Sequence, residues 1–126
     1  MDKRLPDDKG QLLEMYDEVS FCRDAMARFP ALNAELRENE NQIHIQMAVL
    51  ARTVYDALHR QDTATATEVF GFLEDALKQP RAISEIPNAV AISFVELSEL
   101  LRTDQGQGVW DQMPKNLKAA IQQGHS

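Results

Sequence analysis

The sequence predicts an all-α protein, a compact bundle of four to five helices, and three observations carry that reading. Apolar side chains recur at alternating spacings of three and four, the period that lines one face of a helix. Aromatic residues make up only 6%, β-branched runs are few, and no apolar alternation reaches strand length. With 44% hydrophobic and 26% charged residues in a chain of 126, there is enough apolar material for one core and too little net charge density for disorder. Residues 1–126 read as one domain with loose termini at 1–8 and 123–126.

The first helix is expected to open after Asp7 or Asp8, either of which can accept from free backbone N–H groups. Leu12, Met15, Val19, Cys22, Met26 and Phe29 form its stripe, and Pro30 ends it. Leu32 and Leu36 continue an apolar line, until Glu38, Asn39, Glu40 and Asn41 place polar groups across it and predict a break. From Gln42 to Arg60 the stripe resumes through Ile43, Met47, Leu50, Val54 and Ala57, which predicts the second strong helix. Thr65 and Glu68 have capping-box spacing. Behind them Val69, Phe70, Leu73, Ala76 and Leu77 predict a third helix that ends before Pro80. Residues 80–87 read as a connector, and a fourth helix runs from about Pro87 to Arg102. Its Val90, Phe94, Leu97 and Leu101 are joined by Ala91, Ile92 and Val95, so it is expected to be the central, most buried helix. Thr103 to Gly108 reads as a loop, followed by a last amphipathic helix from Pro114 that carries Leu117, Ala120 and Ile121.

A faint internal echo pairs Phe72-Leu73-Glu74 with Phe94-Val95-Glu96. It supports a short HEAT-like helical repeat as the alternative fold. Such repeats have periods of about 33–47 residues and need roughly three copies, so the closed bundle is preferred.

A net charge of -7 argues against nucleic acid or an anionic membrane as partner, since both require a Lys/Arg surface. No stretch resembles a signal peptide or a membrane span, and the single Cys22 cannot form an internal disulfide. Both point to the cytoplasm. Residues 1–40 hold ten acidic and six basic side chains, so this part is the expected face for a basic partner. Within it Glu35, Glu38 and Glu40 cluster around the polar break, where solubility alone would also explain them.

Metal chemistry finds little support. Glu40 with His44 and Asp56 with His59 have helical spacing, but the two histidines would stand about 22 Å apart on one helix at about 1.5 Å per residue. No Glu-x-x-His occurs, so no metal or other cofactor is expected. Glu74 and Glu96 could act as a carboxylate pair if their helices faced each other, one held protonated as a general acid. A mid-helix glutamate more often points outward, and no nucleophile or oxyanion arrangement accompanies them. Cys22 lies on an apolar stripe and reads as a small core residue. Gly106-Gln107-Gly108 lacks the strand and lysine of a phosphate loop. Trp110 reads as a core anchor.

The segments Asn41-Gln42-Ile43-His44-Ile45-Gln46-Met47, Leu50-Ala51-Arg52, Phe72-Leu73-Glu74, Asn88-Ala89-Val90-Ala91 and Phe94-Val95-Glu96, spread over about the middle half of the chain, resemble a family of small helical bacterial proteins. That family has no assigned activity, and some members look like immunity proteins of polymorphic toxin systems. The resemblance implies a bacterial cytoplasmic protein that acts by binding another protein. The leading expectation is therefore a non-enzymatic protein-binding domain, an immunity-type inhibitor that neutralises a cognate toxin through an acidic surface. Glu35, Glu38, Glu40, Glu74 and Glu96 are its candidate contacts and no residue is assigned a catalytic role. The rival readings are a small enzyme using Glu74 and Glu96, and a structural homodimer.

Overall fold

Residues 15 and 16 run extended against the middle of the chain, and this pairing sets where the first helix starts. The Tyr16 N–H donates to the Arg81 carbonyl (2.9 Å) and the Ile83 N–H donates to the Tyr16 carbonyl (3.0 Å). The computed structural model describes residues 4–6, 12–94 and 104–123. Strands β1 (Arg4–Pro6) and β2 (Leu12–Glu14) form an antiparallel ribbon in which Leu5 faces Leu13. Asp7 and Asp8, the expected caps, lie outside the described residues; residues 12–16, expected in the first helix, are not helical, and α1 spans Glu18–Arg28. Asp17 is its cap, accepting from the Val19 N–H (3.1 Å) and the Ser20 N–H (3.0 Å). The buried face of α1 is Phe21, Cys22 and Ala25, while Val19 is 38% exposed. Of the expected stripe, Cys22 is buried and Met26 and Phe29 pack on the core, whereas Leu12 and Met15 precede the helix.

A 3-10 turn at Pro30–Leu32 leads into α2 (Asn33–Glu38), which ends at the predicted polar break. Helix α3 (Ile43–His59) is the longest, and all five stripe residues of the prediction are buried. It ends in a Schellman motif. Gln61 takes the left-handed conformation (φ 61°), the Gln61 N–H donates to the Leu58 carbonyl (3.1 Å), and the Asp62 N–H donates to the Ala57 carbonyl (2.7 Å). Two otherwise unpaired helix-end carbonyls are satisfied in this way.

The same Asp62 caps α4 (Thr63–Leu77). Its carboxylate accepts from the Thr65 N–H (3.1 Å) and from the Thr65 hydroxyl (2.6 Å). Thr65 is therefore the third residue of the helix, and the helix starts before the expected capping box of Thr65 and Glu68. Helix α5 spans Glu85–Ser93 with Phe94 as its C-cap, so it stops short of the predicted Arg102. Val95, Leu97 and Leu101 lie outside the described residues. Helices α6 (Asp104–Gln112) and α7 (Lys115–Gln123) close the fold. The expected loop at Thr103 to Gly108 is helical from Asp104 onward. Half-buried Val109 and Trp110 and buried Met113 pack on the core, which offsets the cost of glycine in a helix.

The central helix is α3, not α5. It packs on α1, α2, α4 and α5, and α7 in turn packs on α4 and α5. Phe21, Met47, Leu50, Leu73, Ile86, Phe94, Leu117 and Ile121 are fully buried where these elements meet. Phe72 joins the α1 side, its ring 5.3 Å from Phe21 and edge-on to Phe29 at 5.5 Å. Contacts of α1 with α4 and of α4 with α7 skip over intervening helices, as in a closed bundle rather than a stack of repeats. The described residues form seven α-helices, more than the four or five expected, because α2 is a short separate helix ahead of the predicted polar break and α6 forms where a loop was predicted. No helix among the described residues is long and apolar enough to cross a membrane.

Candidate functional site

The acidic cluster lies on a helical hairpin. Helix α2 folds back along α3 through Asn39–Gln42, and the turn is tied from inside and outside. The buried Gln46 side chain donates to the Asn39 carbonyl (2.8 Å), and Asn39 Nδ2 donates to the Glu35 carbonyl (2.8 Å). Glu35, Glu38 and Glu40 are all exposed. Glu35 and Glu38 stand one turn apart on the same side of α2. Glu35 accepts from Arg52 Nη2 through both carboxylate oxygens, at 2.7 and 2.6 Å. Both partners are more than half exposed, so this pair contributes little to stability. Ile45 lies two turns before Arg52 on the same side of α3 and is 41% exposed. The hairpin thus exposes three carboxylates, one arginine and an aliphatic side chain.

Glu74 does not share that face, nor does it point outward. It is buried, and its carboxylate accepts from the Leu117 N–H (2.9 Å) and from Asn116 Nδ2 (2.7 Å). Leu117 is the third residue of α7, where a backbone N–H has no partner within its own helix. A carboxylate from α4 thus caps α7 across the fold, favoured also by the helix dipole. Glu96, the other half of the carboxylate pair, lies outside the described residues.

The histidines do not make the pairs expected from helical spacing. His44 Nε2 stands 3.2 Å from Glu85 Oε2, linking α3 to α5, and His59 Nδ1 donates to the Tyr55 carbonyl (2.7 Å). Among the described residues no group of three His, Cys, Asp or Glu converges as a metal site would. Cys22 is in the core, its thiol donating to the Leu36 carbonyl (3.2 Å). Burial, and secondarily the Glu40 carboxylate, push its pKa up, which suppresses the thiolate needed for nucleophilic chemistry. Trp110 is half-buried on the core, with Lys118 Nζ 5.3 Å from its ring centre.

A second feature lies where α1 faces the end of α4 and the connector to α5, and no local spacing in the sequence marks it. Tyr16 donates from its hydroxyl to Asp24 Oδ2 (3.0 Å). Burial first, then the adjoining Asp24 carboxylate, hold this phenol protonated well above its ordinary range, with Arg23 opposing. Tyr16, Asp24 and Gln79 are shared by two adjoining cavities. One, of about 340 Å³, is also lined by Ser20, Arg23, Pro80 and Arg81. The other, of about 320 Å³, is also lined by Arg28, Phe72, Asp75 and Ala76. A protonated phenol that gives its hydrogen to a carboxylate is neither base nor nucleophile, so the arrangement suits binding.

Fold and surface together define a helical domain with charged side chains on the α2–α3 hairpin and around Tyr16. The chain belongs to the family described as a domain of unknown function (DUF7674), which matches residues 22–126. No curated protein and no solved structure matches it.

Proposed function

We propose that the chain is a non-enzymatic protein-binding domain that meets a basic partner through the outer face of the α2–α3 hairpin. The observation that carries this reading is the exposure of Glu35, Glu38 and Glu40 on one hairpin that also exposes Ile45. An aliphatic contact inside a charged rim is the common anatomy of a protein interface, and carboxylates on the rim speed encounter with a cationic partner and select it. The resemblance of segments spread over residues 41–96 to a family of small helical bacterial proteins, some of which look like immunity proteins, supports the finer statement: the partner is a basic toxin of a bacterial system, covered and neutralised in the cytoplasm. Glu74, turned into the core, is not a contact in this proposal.

The test compares the wild-type chain with the charge-reversed variant E35K/E38K/E40K as bait in cells that naturally make the protein. The wild type is expected to retain one basic protein at low salt and to release it as salt rises, and the variant to retain none. Retention that ignores both salt and charge reversal contradicts the proposal, as does turnover of a substrate by the purified chain.

A further inference from the structure

The two cavities around Tyr16 differ in charge. Arg23 and Arg81 against Asp24 leave one compartment with a net positive charge, and Asp24 and Asp75 against Arg28 leave the other with a net negative charge. Among the described residues neither Arg23 nor Arg81 belongs to an ion pair, although the chain carries a net charge of -7. We propose that this seam binds a small zwitterion of amino-acid or dipeptide size, with its carboxylate in the Arg23 and Arg81 compartment and its ammonium beside Asp24 and Asp75.

Guanidinium groups present planar forks that match a carboxylate, and two of them reach this compartment from different elements, α1 and the α4–α5 connector. The Asp24 carboxylate on the shared wall favours a ligand that brings its own cation, because it attracts the ammonium of a zwitterion and only repels an anion that lacks one. The hydrogen bond from Tyr16 holds Asp24 in place between the compartments, where it faces the ammonium of the bound molecule. Phe72, Ala76 and Pro80 supply apolar wall for a side chain. Each compartment is of the size that small-molecule sites typically occupy, at the lower end of about 300–1,000 Å³.

The test is a titration of the full chain followed by backbone amide NMR. The probes are alanyl-leucine, free leucine, N-acetylated alanyl-leucine and inorganic phosphate. Saturable shifts at Tyr16, Asp24 and Gln79 are expected with one or both zwitterions, and the tighter of the two identifies a peptide end or a free amino acid. The acetylated dipeptide and phosphate should bind about tenfold more weakly or worse. R81Q and R23Q should each weaken the zwitterion about tenfold, and R52Q, on the far hairpin, should leave it unchanged. The amide spectrum of each variant shows directly that it is folded. Absence of saturation with both zwitterions up to about 10 mM, tighter binding of phosphate, or binding unaffected by both R23Q and R81Q overturns the proposal.

Discussion

At the scale of single residues, two carboxylates do structural work at helix starts, one across the fold and one locally. Glu74 accepts from Leu117 and Asn116, residues 43 and 42 positions away, so its removal strands a buried N–H as well as breaking a charge-assisted bond. We expect Glu74→Ala to lower unfolding stability by about 3 kcal/mol, and Glu74→Gln, which keeps an acceptor, to cost less. Denaturant unfolding measures both, and an effect below about 0.5 kcal/mol for the alanine variant would remove Glu74 as the cap of α7. Asp62 is held below the ordinary carboxylate range by the Thr65 hydroxyl and then by the Thr65 N–H. Its folded pKa is depressed, so its contribution is present above the unfolded carboxylate value and is lost as pH falls through the folded value. Asp62→Asn should therefore be less stable than wild type at neutral pH, and the gap should close as pH drops below about 4. A gap constant with pH would contradict this account. Glu74 also shows a boundary of sequence reasoning: within its own helix nothing distinguishes it from a solvent-facing glutamate, because the group that draws it inward belongs to another helix.

Among the helices, α3 and α4 were the most legible, because most of each buried face is an apolar stripe of helical period. The start of α1 was not legible, since Leu12 and Met15 fit the helical period while the chain there is extended and paired with β1 or with the α4–α5 connector. Helix α6 was hidden by Gly106 and Gly108, whose cost is offset by tertiary contacts of Val109, Trp110 and Met113. Glycine also leaves room for improvement in α4. A Cβ at Gly71 would meet nothing within 4 Å, and the residue sits in a helix interior where alanine is favoured by about 1 kcal/mol. Gly71→Ala is expected to raise stability by about 0.5–1 kcal/mol, read as an upward shift in the thermal midpoint. A drop instead would mean that the outer side of α4 at this position is in contact in solution.

For the whole molecule, the all-helical class follows from composition and period alone, whereas the order of packing does not. Composition made the region of Val90 to Leu101 look like the centre, but α3 takes that place because it alone lies against α1, α2, α4 and α5. The acidic hairpin was legible in part: Asn39 and Asn41 between the glutamates marked an exposed turn, while the pairing of Glu35 with Arg52 and the exposure of Ile45 required the fold. The Tyr16 seam was not legible, because its walls come from residues 15–28 and 72–81, which only the fold brings together, through the bridge of Tyr16 to Ala82 and the packing of Phe21 and Phe29 on Phe72. The central claim is that the acidic hairpin is the partner-binding face, and amide hydrogen exchange of the chain, free and saturated with the basic protein it retains, tests it most directly. Slowed exchange concentrated in α2, the following turn and the first half of α3 is the predicted result. Unchanged exchange there, with protection confined to α5 or α7, would contradict it.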